Sequence, residues 1–136
     1  MPTRTVFANM QKEFPRLREE FLNAHTPARY VDGHTGYTGA VEHWRHRVIL
    51  DADLTFTEDG RRYFPTLCRL LQPLVERKIA RKCYFAMMRA GTSLPNHCGG
   101  TNLFLRMHLG MVVPSGDLAL KVGGEVRRWQ DGGVLL

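Results

Sequence analysis

The stretch LFLRMHLGMVV at residues 103–113 has an alternating pattern that predicts a β-strand. Successive side chains of a strand point to opposite faces, so the odd positions 103–111 place only leucine and methionine on one face. The other face carries Arg106 and His108, about 7 Å apart along the strand. A buried guanidinium needs an anionic partner, and a guanidinium beside an imidazole donor suits a carboxylate. We therefore expect Arg106 and His108 to form an anion site.

The same residues also fit a purely structural interpretation. Arg106 can pair with a structural glutamate, and His108 can be a hydrogen-bonded core histidine. His97 lies upstream across a turn, and one imidazole alone does not make a metal site. Its neighbour Cys98 would point to the opposite face and would more often be a small buried apolar side chain. Spacing alone leaves both interpretations open.

The segments on either side of this stretch predict a β-rich C-terminal part after residue 80. They are short and apolar, and turn residues separate them. Three of them are KCYFAMM (82–88), LALKV (118–122) and VLL (134–136). The sequence VGGEV (122–126) predicts a tight two-residue hairpin within this part.

The first 80 residues predict helices, one strand and a long loop. Apolar spacing indicates a helix over 5–24, which Pro15 should kink or restart, and a second helix within 64–80, which Pro73 should interrupt. The second helix has one expected apolar face, formed by Leu67, Leu70, Leu71, Leu74 and Ile79. A loop over 25–43 and a strand over 44–50 lie between the two helices. Together these elements predict one α+β domain over 1–136, with a helical part (1–80) and an antiparallel barrel or jelly roll (81–136).

Composition is that of an ordinary globular domain: 43% of the 136 residues are apolar and 24% are charged. The net charge of +6 comes from scattered basic pairs without interleaved aromatics, so we expect no nucleic-acid partner, and a nucleic-acid surface is the less favoured alternative. The three cysteines form no CxxC pair and support neither a disulfide framework nor a zinc knuckle. No signal peptide or membrane segment is recognisable, and the default expectation is the cytoplasm.

Two longer runs, GTSLPNHCGGTNLFLRMHLGMVVP (91–114) and LKVGGEVRRWQDGGVLL (120–136), resemble the aspartyl/asparaginyl β-hydroxylase family. The resemblance continues more weakly upstream, through Trp44 and FPTLCRLL (64–71). It implies an iron- and 2-oxoglutarate-dependent dioxygenase in which N-terminal helices pack on an antiparallel double-stranded β-helix (jelly-roll or cupin-like). The implied cofactors are Fe(II), 2-oxoglutarate as cosubstrate, and O₂. The implied substrate is an Asp or Asn side chain of a protein or peptide, or a small molecule.

The resemblance also implies roles for individual residues. His97 is similar to the family's first iron ligand, and Gly99 stands where most 2-oxoglutarate oxygenases carry a ligating carboxylate. Arg106 and His108 are similar to the residues that hold the cosubstrate's carboxylates. Trp44 resembles an aromatic residue of the substrate groove, although a core or rim aromatic is equally compatible with its position.

Some positions depart from the family pattern. Gly100 replaces a proline, Ala86 replaces a serine that helps to seat the cosubstrate in some members, and 103–105 lack the usual polar and basic residues. The family's second metal histidine and a later arginine have no counterpart here, so we expect a domain incomplete at the C-terminus and no activity from these residues alone. The alternative is a non-catalytic jelly-roll module that binds an anion or peptide through Arg106 and His108.

Overall fold

The computed structural model describes residues 2–32, 44–98 and 101–136. The helices are α1 (Pro2–Lys12), α2 (Phe14–Ala24), α3 (Glu58–Tyr63) and α4 (Pro65–Glu76), and a 3₁₀ turn covers Pro27–Arg29. The strands are β1 (Val31–Asp32), β2 (Trp44–Leu50), β3 (Cys83–Met88), β4 (His108–Leu109), β5 (Ala119–Val122), β6 (Glu125–Arg128) and β7 (Val134–Leu135). Within these ranges, no helix is long and apolar enough to span a membrane.

Of the two prolines expected to interrupt a helix, Pro15 in α2 marks a helix boundary and Pro73 in α4 does not. Pro15 lies in the first turn of α2, where a missing amide hydrogen costs nothing, so α1 ends at Lys12 and α2 starts afresh at Phe14. This confirms the expected restart. The expected break at Pro73 is wrong, because α4 continues through Pro73 to Glu76. Pro73 lies in the last turn, and burial of the apolar face of α4 outweighs the single backbone bond that it removes.

The main core lies where the helices pack against one another and against β2. Its buried members are Val6, Met10, Leu17, Ala24, Ile49, Phe64, Leu67, Leu70, Leu71 and Leu74. The four leucines of the expected α4 face are therefore confirmed as core residues. Ile79 is not one of them: it lies beyond the end of α4 and is 42% exposed.

The larger sheet has the order β1–β2–β3, and all of its pairs are antiparallel. The expected strands at 44–50 and 82–88 are confirmed as β2 and β3, with a register irregularity between Val48 and Leu50. The loop expected over 25–43 contains the 3₁₀ turn and β1 in its first part. The rest of that loop, 33–43, lies outside the described residues.

The C-terminal part contains two smaller antiparallel sheets, β4–β7 and β5–β6. The β5–β6 hairpin is confirmed, and its central residues Gly123 and Gly124 have φ of +57° and +90°, as a type I′ turn requires. The expected strand over 103–113 is wrong for most of its length, because in the described chain only residues 108–110 pair, His108–Leu109 with β7 and Gly110 with the residues just before it.

The missing strand has a physical cause. Leu103 and Leu105 are 81% and 84% exposed, so the first part of the expected apolar face has no core against it. The rest of that face, Met107, Leu109 and Met111, is partly buried and packs against the core. A strand needs a neighbour for its backbone groups, and alternation in the sequence does not supply one. The described strands form separate sheets and no closed barrel. The α+β class is thus confirmed, while the jelly roll stays a prediction.

A buried ion pair joins the helices to the sheet. Arg47 of β2 is only 3% exposed, and its guanidinium binds the Asp59 carboxylate of α3 through both Nε and Nη2, the latter 2.8 Å from Oδ1. Its Nη1 donates to the carbonyl of Ala24, at the end of α2, at 2.8 Å. Arg29 donates to the same carboxylate at 2.9 Å. One side chain therefore connects β2, α2 and α3.

We expect Asp59→Ala to lower the free energy of unfolding by about 3 kcal/mol, because it leaves the Arg47 charge buried without its partner. Urea unfolding at neutral pH measures the loss. Glu58→Ala is the matched control: Glu58 occupies the same first turn but is exposed, so it should cost at most about 1 kcal/mol. Equal losses for the two variants would contradict the importance of the pair.

The same pair should make the fold sensitive to acid. The hydrogen bond from Arg47 lowers the pKa of Asp59 below its usual range. A carboxyl whose pKa is lower in the folded state stabilises the fold above its unfolded pKa of about 3.9, and this contribution is lost as the pH falls through the folded value. Urea unfolding in a series of buffers below about pH 4 should therefore show a steeper loss of stability for the wild type than for Asp59→Asn. Parallel pH dependences would show that the pair does not contribute.

Candidate functional site

Arg106 and His108 lie in the segment that leads into β4. Arg106 is exposed and His108 is half-buried. Burial of the imidazole, and secondly the positive charge of Arg106, lower the pKa of His108 below its usual value. Both effects favour the neutral form of the imidazole. The structure places Arg106 two residues before His108, close enough for its charge to act on the imidazole, while their role as a carboxylate site stays a prediction.

The Arg106 side chain is exposed, so its burial cannot be the reason for expecting a bound anion. The sequence suggested a guanidinium inside a barrel, which would need an anion because of its burial. Instead the side chain is solvated, and solvation removes that requirement. Within the described ranges Arg106 forms no ion pair with an acidic side chain, so the structural-glutamate alternative is not observed there. Its donors can therefore bind an external carboxylate.

Trp129 is the residue of this site whose role the sequence did not reveal. Its indole Nε1–H donates to Nδ1 of His108 at 3.2 Å. The two ring planes lie within 10° of parallel, with centroids 6.0 Å apart. Trp129 follows β6 and is half-buried among exposed polar neighbours, and this isolation in the run VRRWQD (126–131) was the signal available in the sequence.

Gly110 explains how the segment of His108 comes close to that of Trp129. A Cβ at this position would lie 2.1 Å from the carbonyl oxygen of Gln130, so only glycine allows the two backbones to approach. The Gly110 amide donates to the Gly133 carbonyl at 3.0 Å, and the Gly132 amide donates to the Gly110 carbonyl at 2.8 Å. These bonds continue the β4–β7 pairing and hold the two segments together.

His97 lies in an exposed turn before the segment of Arg106. Its Nδ1 is 2.8 Å from the carbonyl oxygen of Pro95. A carbonyl only accepts hydrogen bonds, so Nδ1 is the donor in this contact. A backbone carbonyl on one ring nitrogen is the usual arrangement for a histidine that binds a metal through the other.

The described residues do not provide an iron site by themselves. In the ranges 2–32, 44–98 and 101–136, no three His, Cys, Asp or Glu side chains come together in a way that can hold a metal ion. Gly99, which the resemblance placed beside His97, lies outside the described residues. Iron typically needs two or three protein ligands, so His97 alone does not fit the expected metal.

Trp44 is the first residue of β2 and pairs with Met88 of β3. It is partly buried, which is compatible with both a groove and a rim position. Ala86 lies two residues before Met88 and is exposed. The proposed groove at Trp44 stays a prediction.

The fold and the candidate site define an α+β domain in which an exposed guanidinium, Arg106, lies two residues before a half-buried imidazole, His108. Residues 10–136 match the family model described as aspartyl/asparaginyl β-hydroxylase, and the chain belongs to this family. The resemblance seen in the two motif runs is thereby confirmed.

Similar proteins carry hydroxylase names. The chain is 36% identical over 74 residues to the aspartyl/asparaginyl β-hydroxylase of Mus musculus, covering 53% of this chain and 10% of that protein. It is 27% identical over 133 residues to aspartate β-hydroxylase domain-containing protein 2 of Xenopus tropicalis, covering 96% of this chain and 34% of that protein. It is 41% identical over 54 residues to the ornithine lipid ester-linked acyl 2-hydroxylase of Rhizobium tropici, covering 38% of this chain and 19% of that protein. The chain thus spans about a third or less of the length of these three relatives.

We expect Gly110→Ala to push the Gln130 backbone away and to break the hydrogen bond between Trp129 and His108. The cost in unfolding free energy should be about 1–3 kcal/mol, and the NMR signal of the Trp129 indole N–H should shift. Gly91→Ala is the control, since its Cβ would meet no atom within 4 Å although φ is +77°. It should cost about 1 kcal/mol and leave that signal in place. An unmoved signal in Gly110→Ala would contradict the role of the close approach.

Proposed function

We propose that this chain serves an Fe(II)- and 2-oxoglutarate-dependent hydroxylase, in which Arg106 and His108 bind a carboxylate of 2-oxoglutarate. The observation that carries the proposal is the exposure and the pairing of the Arg106 guanidinium. Its guanidinium is exposed, forms no ion pair with the acids of the described ranges, and lies beside a half-buried neutral imidazole.

The chemistry of the pair suits a carboxylate. A guanidinium presents parallel N–H donors that match the two carboxylate oxygens, and it keeps its charge at any physiological pH. A neutral imidazole adds a hydrogen-bond donor without a second positive charge. Hydrogen bonds to charged groups contribute about 1.5–3 kcal/mol each.

The substrate is proposed from the names of the relatives. The mouse and human relatives are named aspartyl/asparaginyl β-hydroxylases, which favours an Asp or Asn side chain of a protein or peptide. The Rhizobium relative is named for the acyl chain of a lipid, so a small or lipid-like substrate is the alternative. Iron and O₂ would supply the oxidation, and the contact between His97 and Pro95 supports a metal role for that imidazole.

A second candidate function is a carboxylate-binding module without catalysis. It is favoured by the absence, in the described ranges, of any three His, Cys, Asp or Glu side chains grouped as a metal site. In this case Arg106 and His108 bind an anion or an acidic peptide, and no turnover follows.

We expect Arg106→Ala to weaken 2-oxoglutarate binding by about 10- to 100-fold, because it removes a charge-assisted contact from an exposed position that the fold does not need. Isothermal titration calorimetry measures the affinity, and a thermal-shift assay with 2-oxoglutarate provides a second measurement. Arg127→Ala is the control, since Arg127 is also exposed but pairs with Glu125. Equal affinities for Arg106→Ala and wild type would remove the proposed carboxylate site.

Turnover separates the two candidate functions. Release of succinate from 2-oxoglutarate that depends on added Fe(II) and on an Asp- or Asn-containing peptide would establish the hydroxylase. Arg106-dependent binding of 2-oxoglutarate without succinate would favour the binding module. Absence of both binding and turnover would contradict both functions.

A further inference from the structure

We infer that Trp129 is a positioning residue: it fixes His108 as the tautomer protonated on Nε2, so that Nε2–H is the donor available to a carboxylate beside Arg106. The carboxylate in this inference rests on the proposed function, whereas the tautomer does not. The starting observation is the 3.2 Å hydrogen bond between the indole Nε1 of Trp129 and Nδ1 of His108.

The tautomer follows from the chemistry of the two rings. An indole nitrogen only donates, so Nδ1 of His108 must accept and cannot carry a proton. The neutral imidazole has one proton, and this proton is then on Nε2. An indole N–H lies in the plane of its own ring, and the two planes are within 10° of parallel. The N–H therefore points along a plane nearly parallel to the imidazole and reaches that ring at Nδ1.

The tautomer decides whether His108 attracts or repels an anion. With the proton on Nε2, the ring offers a donor on the side away from the indole. With the proton on Nδ1, the ring would offer a lone pair at Nε2, which repels a carboxylate oxygen, and the indole donor would have no acceptor. Trp129 thus converts a residue that can either donate or accept into a donor.

The backbone around Gly110 holds the indole in place for this role. Gly110 contacts the Gln130 carbonyl directly, and Gln130 follows Trp129 in the chain. The Asp131 carboxylate accepts from the amide of Val113 at 2.7 Å and ties the same two segments together a few residues further on. These contacts, both directly after Trp129 in the chain, limit how far its ring can move from His108.

The tautomer is measured by NMR on the intact chain with ¹⁵N-labelled histidine. Correlations from the ring carbon protons show which nitrogen of His108 carries the proton. We expect a protonated Nε2 and an unprotonated Nδ1 in the wild type at neutral pH. A protonated Nδ1 in the wild type would overturn the inference without any variant.

Trp129→Phe keeps an aromatic ring but removes the indole N–H. We expect His108 to become a mixture of tautomers in this variant and 2-oxoglutarate affinity to fall about tenfold. Trp44→Phe, which replaces the chain's other tryptophan, should leave the His108 tautomer unchanged. An unchanged tautomer in Trp129→Phe would overturn the positioning role, even with weakened binding. A changed tautomer, with no 2-oxoglutarate binding by the wild type, would remove the carboxylate site and leave the tautomer assignment standing.

Discussion

The buried guanidinium of Arg47 is the contact on which the arrangement of helices and sheet depends. Its donors bind the Asp59 carboxylate and the Ala24 carbonyl, so the end of α2, the start of α3 and the middle of β2 meet at one side chain. The rings of Tyr63 and Phe64 lie near the same guanidinium, at 5.5 and 4.8 Å from their centroids. A charge that is 3% exposed is tolerated only with this full set of partners. The ion pair therefore specifies one relative placement of these elements, where apolar contacts alone would allow several.

Local chemistry predicted the helices at 5–24 and 64–80 and the strand β2, but it did not predict the short α3 or β1. The restart at Pro15 and the leucine face of α4 depend on the chain's own backbone and on i, i+3 and i, i+4 spacing. The burial of Arg47 was also open to prediction, because it shares a strand face with Ile49, which is fully buried. What the sequence did not show is its partner Asp59, which lies twelve residues away in another element.

The C-terminal part shows where such prediction ends. The β5–β6 hairpin was predictable because two adjacent glycines determine it locally. The stretch 103–113 alternates as a strand does, yet pairing requires a neighbour brought from elsewhere, and in the described chain only residues 108–110 have one. The candidate site shows the same difference between features set by local sequence and features that depend on a distant segment. Arg106 and His108 were predicted as a pair from local spacing, and the metal role of His97 came from resemblance. Trp129 was missed as a partner because a contact across 21 residues brings it to His108.

The charge state of the site follows from these contacts. Two cations side by side would repel each other before a ligand arrives, and a half-buried imidazolium would also lose solvation. His108 avoids both costs because it stays neutral, and the indole N–H favours that state by occupying the nitrogen that an imidazolium would need as a donor. Arg106 supplies the single positive charge from an exposed position where it remains hydrated. In the proposed carboxylate site, Arg106 would thus supply the charge and two parallel donors, and His108 would add one uncharged donor. The positive charge and the additional hydrogen bond would then come from different residues.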